Sequence, residues 1–402
     1  MTAVARMSEQ ATAAVARRSV LVLTVVHHPE DSRVRQRQIE TLLRAGWDVT
    51  YVAPFSGYGL AVPAASPAAQ GRGRLELVDI CRSQGRHRLR SALAARRMLR
   101  ELAPRHDLVL VHDPELLFPA IRLGLTNLVW DVHEDPAAAM RVKTWVPLVM
   151  RVPMATAWRS LERLAEHRHR LFLSEYSYQH RFRRHHPVVP NAVRVPATAR
   201  PPSADRVSYL GSISMARGCA EIIAVARELR RRTAGAVTVE VIGEAVDTEC
   251  REALDDAMAA GDLTWFGYLP SETALERMSG SLAGLCLLKD LPNFRSSLPT
   301  KIVEYAALGI PAITTPLPLA SSIVRGNDLG IVVPWDDVEA VVDAVLRLRA
   351  DRPLRETLSA NGRRAALRDH DWNTTHSRAF LELMEKTAES ARRRRAHLRV
   401  VG

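Results

Sequence analysis

An α/β fold made of two doubly wound halves is what this 402-residue sequence predicts. Three observations carry the prediction. Short apolar runs of strand length recur along the chain. Most are followed by a polar or glycine-bearing turn and then by a stretch of helical spacing, the pattern of a parallel sheet covered on both faces. The alternation pauses once, at 187–205 (PVVPNAVRVPATARPPSAD), and then restarts.

Ser19 to Val26 (SVLVLTVV) is continuously apolar, as a strand buried on both faces must be. Val34, Ile39, Leu42 and Leu43 fall at helical spacing, and Ala45-Gly46 ends that helix. Strands follow at Asp48–Ala53, Leu75–Ile80, Asp107–Val111 and Asn127–Val132. Helices lie between them at Leu89–Leu102 and Glu115–Leu123, and 54–74 reads as a loop. After the pause, strands are predicted at Val207–Leu210, Val237–Ile242, Leu263–Phe266, Leu282–Leu288, Ala312–Thr314 and Ile331–Val333. The intervening helices are Cys219–Arg231, Glu249–Ala259, Leu275–Met278, Pro299–Leu308 and Val338–Leu348, and a last helix covers about Asn373–Lys386. The expected organisation is a flexible 1–18, a first domain 19–186, a linker 187–205, a second domain 206–371, a helix 372–387 crossing back, and a flexible basic tail 388–402.

Hydrophobic residues make up 47% and charged residues 25%, which excludes disorder over most of the length. No secretory signal is readable, because Glu9 interrupts 1–18. The uncharged run Tyr305–Val324 contains Gly309, Pro311, Pro316 and Pro318 and does not read as a spanning helix. The four cysteines form no C-x-x-C pair, so no zinc ribbon or thioredoxin-like centre is readable, and a reducing cytoplasm fits. The net charge of +12 is concentrated: 141–186 hold ten Arg or Lys against three Glu, and 392–399 hold five Arg. Few aromatics interleave with these cations, which argues against nucleic acid. An anionic membrane surface or plain solvation remains.

Ligands of open α/β sheets bind at the carboxyl ends of the strands, so the loops there are the places to search. The first loop, His27 to Arg33, has no glycine and therefore no dinucleotide fingerprint. Its polar groups suit a ligand such as a sugar, although Asp31 or Ser32 equally suits capping the next helix. Asp113 and Glu134 stand in two further polar loops after apolar strands, where an N-cap at Asp113 is the plainer reading. His133 ends a buried strand, and no H-E-x-x-H pattern marks a metal site. Gly211 and Ser212 end a strand, while Arg217-Gly218 opens a helix. A glycine turn, a cation and helix N–H groups together make an anion site. Lys301 lies in the first turn after Pro299, where the helix dipole disfavours a cation unless an anion is present. Glu304, one turn on, suits ribose hydroxyls, or the two form a surface ion pair.

Taken in order, Pro29-x-Asp31-x-Arg33, Asp131-x-His133-Glu134, Asn191, Tyr209-x-Gly211-Ser212, Arg217-Gly218, Phe266-x-Tyr268-Leu269-Pro270, Ser297-x-Pro299-x-Lys301-x-x-Glu304-Tyr305-x-x-x-Gly309-x-Pro311, Asn361-Gly362 and Trp372 resemble the GT-B glycosyltransferases, specifically retaining family 4 (glycosyl transferases group 1), over about residues 19–387. The resemblance implies two Rossmann-like domains facing across a cleft and retaining transfer from a nucleotide-sugar to a sugar or lipid-linked acceptor. It implies no cofactor and no metal. It assigns catalysis to His133 and Glu304. Donor binding falls to Gly211, Ser212, Arg217, Gly243, Ser297, Leu298, Pro299, Thr300, Lys301 and Glu304, and acceptor binding to His28, Asp31, Arg33, Asp113 and Glu134. Two positions depart from the family: Ser296 stands where the first Glu of E-x7-E belongs, and Ser212 where Arg is common. A catalytically silent partner subunit and a nucleotide-sugar 2-epimerase are the alternatives. The expected location is the cytoplasm, peripheral on the inner face of the membrane.

Overall fold

The computed structural model describes residues 17–62, 72–142, 146–203, 205–295 and 297–401, so the expectation for most of 1–18 lies outside the described residues. The first half of the chain runs β1 (Ser19–Leu23), α1 (Glu40–Arg44), β2 (Asp48–Ala53), β3 (Leu75–Asp79), α2 (Arg88–Leu102), β4 (Leu108–Val111), α3 (Leu117–Arg122), β5 (Leu128–Val132), α4 (Pro136–Val142), α5 (Leu148–Arg168) and β6 (Arg170–Leu173). It continues with β7 (Arg206–Leu210), α6 (Cys219–Thr233), β8 (Thr238–Ile242), α7 (Thr248–Ala259), β9 (Thr264–Trp265), α8 (Ser271–Met278), β10 (Ala283–Cys286), α9 (Pro292–Arg295) and α10 (Thr300–Leu308). The remainder is β11 (Ala312–Thr314), α11 (Pro318–Gly326), β12 (Gly330–Val332), α12 (Val338–Ala350), α13 (Arg352–Ala365) and α14 (Ser377–Val401). Two six-stranded sheets result, ordered β3-β2-β1-β4-β5-β6 and β12-β11-β10-β7-β8-β9. Both orders place the first strand of each half inside the sheet, the doubly wound arrangement expected.

Aspartates start the helices. Asp31, Asp135, Asp247, Asp337 and Asp351 each accept a backbone N–H two or three residues on, at 2.8–2.9 Å, satisfying donors the helix itself leaves open. In the second half, α6, α7 and α12 bury one face of the sheet through Ile222, Leu229, Leu254, Val342 and Val345. Met278, Ile302, Ala306 and Val324, from α8, α10 and α11, belong to the cluster on the other side.

The chain forms two compact units whose limits differ from those expected. One takes the chain through Val132, with Leu164–Phe172 and Phe380 onward; the other takes His133–Arg163 and Leu173–Ala379. Residues 133–163 thus leave the first unit for the second. Ala137, Met140, Val146 and Ala155 form a small core of their own there, and α4 packs on α9. The predicted linker is also folded into the second unit. Val193 bridges to Asp371, and the Arg363 guanidinium donates to the Pro196 and Ala307 carbonyls at 2.8 Å. The tail predicted to be flexible is the helix α14, and Arg392 pairs with both oxygens of Asp107 at 2.6 and 2.8 Å. A run of arginines disguised it as a solvated tail.

His169, in the first unit, is 9% exposed, and burial holds its imidazole down to about 4. The unfolded chain protonates this side chain near 6.5. Stability is therefore full above about 6.5 and falls as the pH drops toward 4, because only the unfolded state takes the proton. Urea unfolding at pH 7 and pH 4.5 should show His169→Asn losing about 2–3 kcal/mol less than the parent. Equal losses would mean that the imidazole titrates freely.

Candidate functional site

The second unit holds a cluster built on the ends of β7, β8 and β10 and on the start of α10. Gly211 and Gly243 follow neighbouring strands, with φ of +100° and +148°. A Cβ on Gly243 would stand 2.0 Å from the Gly211 carbonyl oxygen, so no side chain fits between the two loops. The Trp265 indole N–H donates to the Gly243 carbonyl at 2.8 Å and fixes that turn.

Lys301 faces Gly211. Its Cε lies 4.0 Å from where a Gly211 Cβ would be, and its ammonium sits 3.7 Å from the centre of the Tyr209 ring. The residue is 8% exposed, and among the described residues its Nζ has no hydrogen-bond partner. Burial pushes its pKa down to about 8; Arg217 adds to the shift, and Glu304 opposes it. The ring is a weak substitute for water, worth about 1–2 kcal/mol. The site is rigid around this cation. The Tyr305 hydroxyl donates to the Leu285 carbonyl at 2.9 Å and accepts from the Leu210 N–H at 3.2 Å. The Tyr209 hydroxyl and the Arg217 guanidinium both donate to the Ser212 carbonyl at 3.0 Å.

Lys301 and Glu304 are therefore not a surface ion pair: the lysine is buried and the carboxylate half-buried. The structure brings Gly211, Ser212, Arg217, Gly243, Lys301 and Glu304 into one neighbourhood, with Pro299 and Thr300 opening α10. Backbone N–H groups at two of the candidate donor residues are occupied. The Gly211 N–H bonds the Ile242 carbonyl at 2.9 Å, and the Leu298 N–H bonds Glu175 at 3.3 Å. Ser297 turns its hydroxyl to the Asn293 carbonyl at 3.3 Å. Ser296 lies outside the described residues. His133 is half-buried, its carbonyl held by the Tyr178 hydroxyl at 3.2 Å, and Glu134 beside it is exposed. Glu175 and Trp265 carry no signal in the sequence, since only their three-dimensional neighbours give them a part.

In the first unit, two expected ligand contacts prove to be internal. The Arg33 guanidinium grips Asp131 with bonds of 3.0 and 2.7 Å, and Gln38 adds a third at 2.6 Å. Asp113 is buried and accepts from Thr24 and from the Val26 N–H at 2.8 and 3.2 Å, with His27 at 3.3 Å. Both side chains shape the loop after β1; burial takes them away from an acceptor. Asp31 caps the following turn, one of the two readings open to it, and stays partly exposed beside His28, which packs edge-on against Tyr58.

Two doubly wound sheets, the second with a buried cation at the carboxyl ends of its strands, define a GT-B-fold protein. Residues 196–365 match the family model described as Glycosyl transferases group 1. A capsular polysaccharide biosynthesis glycosyltransferase, CapM of Staphylococcus aureus, is 33% identical over 73 residues, 18% of this chain and 19% of that protein. A GDP-mannose-dependent alpha-(1-6)-phosphatidylinositol monomannoside mannosyltransferase of Mycobacterium tuberculosis is 26% identical over 160 residues, 39% of this chain and 42% of that protein. The matches thus span less than half the length of these curated relatives. Among solved structures, sucrose-phosphate synthase of Thermosynechococcus elongatus superposes with a TM-score of 0.68 at 15% identity, over 96% of this chain and 100% of that one.

The lowered lysine has a consequence for stability. Between about pH 8 and 10.4 the unfolded chain keeps a proton that the folded chain has shed, so stability rises with pH through that window. Below 8 the folded state bears the full desolvation cost. Lys301→Met should therefore stabilise the protein by about 2–3 kcal/mol at pH 7 and by little at pH 10.5, as read by urea unfolding. No gain at pH 7 would show that the ammonium is solvated.

Proposed function

We propose that the protein is a retaining glycosyltransferase that moves a sugar from a nucleotide-sugar to an acceptor, in polysaccharide, glycolipid or other glycoconjugate biosynthesis. The observation that carries this reading is Lys301, a buried ammonium at the N-terminus of α10 with no hydrogen-bond acceptor among the described residues. A cation kept out of water at a positive helix end is complementary to an anion, and most of all to one whose charge grows. The diphosphate of a breaking glycosyl–phosphate bond is such a group. Lys301, Arg217 and the first turn of α10 neutralise it, so the reaction requires no metal. Glu304, one turn further, takes the ribose hydroxyls. His133 positions the transferred sugar and stabilises charge near its anomeric carbon. His28, Asp31 and Glu134, partly or fully exposed, remain the groups assigned to the acceptor.

Incubation with nucleotide-sugars and candidate acceptors, read as nucleoside diphosphate released, is the direct test. Release should persist in EDTA. Arg217→Ala and Lys301→Ala should each weaken donor binding by about 1–3 kcal/mol in calorimetry. Affinity in the parent should fall as the pH rises through about 8, where Lys301 loses its charge. His133→Ala should lower turnover more than donor affinity. Unchanged donor affinity in both cation variants would remove the assignment.

The acceptor reading extends to an anionic membrane surface at the cytoplasmic face. No helix among the described residues is long and apolar enough to cross a membrane. The start of α5 exposes Leu148, Val149 and Val152 at 75%, 82% and 64%, with Arg141 and Arg163 also exposed in the same unit. Trp145, in the same basic segment, lies outside the described residues. Arg159 is not part of this face, because it pairs with Asp135 and Glu162 at 2.6 and 2.7 Å. Exposed apolar side chains in a basic segment suit an interface with anionic headgroups. Co-sedimentation with anionic liposomes should fall with salt and drop for the double variant Val149→Ser, Val152→Ser. Equal pelleting with neutral liposomes, or none with either, would leave a soluble acceptor as the better reading.

A further inference from the structure

Cys219 is the first residue of α6, and Cys250 is the third residue of α7. They are thirty-one positions apart and belong to no spacing motif. Both are fully buried in the larger core of the second unit, yet their Sγ atoms lie 2.9 Å apart. That is closer than unbonded sulfurs ordinarily rest and about 0.9 Å beyond the length of a disulfide bond. Neither thiol has a part in the donor site, although Cys219 stands two residues after Arg217 and its N–H bonds the Ser214 carbonyl at 3.2 Å. The other two cysteines differ: Cys81 is half-buried in the first unit, and Cys286 is buried at the end of β10.

We propose that Cys219 and Cys250 form a reversible disulfide when the protein meets a hydroperoxide, clamping the first turns of α6 and α7 together. One thiol, as its thiolate, attacks a peroxide oxygen. The O–O bond breaks, a sulfenic acid forms, and the hydroxide released takes up the thiol proton as water. The second sulfur then displaces the sulfenic oxygen: the S–S bond forms and a second water leaves. Two thiols are oxidised by two electrons, and hydrogen peroxide is reduced to two waters. A dithiol reductant reverses the bond. Burial raises the pKa of both thiols, so the first step is slow and calls for a small oxidant. The way in is the start of α7, where Val246, Asp247, Thr248 and Glu249 are exposed and the Cys250 N–H is held by the Asp247 carboxylate at 2.8 Å.

This proposal is independent of the sugar-transfer reading. The full chain is treated with hydrogen peroxide, quenched with catalase, denatured, alkylated and digested with trypsin without reductant. The expected product is peptide 218–227 joined to peptide 233–251, lighter than the two thiol peptides by two hydrogens. Two of the four thiols stay alkylatable, and dithiothreitol restores all four. Cys81→Ser should leave the linkage intact, and Cys219→Ser should abolish it. The oxidised protein should melt about 5–10 °C higher than the reduced one. Peptides 218–227 and 233–251 found unlinked, as separate thiols or oxygenated acids, would overturn the proposal. So would a dominant linkage to Cys81 or Cys286, or an oxidised form that melts no higher.

Discussion

A single buried ammonium organises the second unit. Lys301 is held at the start of α10, where both desolvation and the helix dipole oppose its charge. The fold accepts that cost by surrounding it with parts that cannot easily move. Tyr305 hydrogen-bonds the backbone at the ends of β7 and β10, Tyr209 presents its ring to the cation, and Gly211 and Gly243 bring two strand ends too close for any side chain. On the side of the loop after β7, Lys301 faces Gly211. A surface lysine would have met water there; this one is held away from it.

The first unit uses its charges differently. Its polar loops look in sequence like a row of ligand contacts. In the fold, Arg33, Gln38 and Asp131 close on one another, and Asp113 collects a hydroxyl and a backbone amide at the end of β1. Charges buried at the ends of parallel strands need internal partners, and these residues provide them for each other. His28 and Asp31 stay partly exposed on the surface so formed.

The basic segment 141–186 divides in the same way. Arg159 and Arg181 form a network with Asp135 and Glu162, and Arg181 lies 4.5 Å over the Tyr178 ring. Arg141 and Arg163 remain exposed. Net charge per segment does not distinguish an internal ion pair from an outward cation, because it holds no record of pairing: Glu162 lies inside the segment and Asp135 outside it.

The sequence by itself determined the fold class and every described strand except β6. Continuous apolar runs such as Ser19–Leu23 admit only a strand covered on both faces, and glycine followed by a cation before a helix marks an anion-binding turn. Pro299 at the entrance of α10 and Lys301 in its first turn were readable as well. The helices α4, α5, α9, α11 and α13 were not, because charged and small residues blur any apolar stripe and only packing against neighbours fixes them. Tertiary structure alone decided that Lys301 lies over Tyr209, that Arg33 belongs to Asp131, and that two distant cysteines touch. Each is a contact between residues far apart in the chain, so local pattern holds no record of it: it exists only once the strands have been paired in their order.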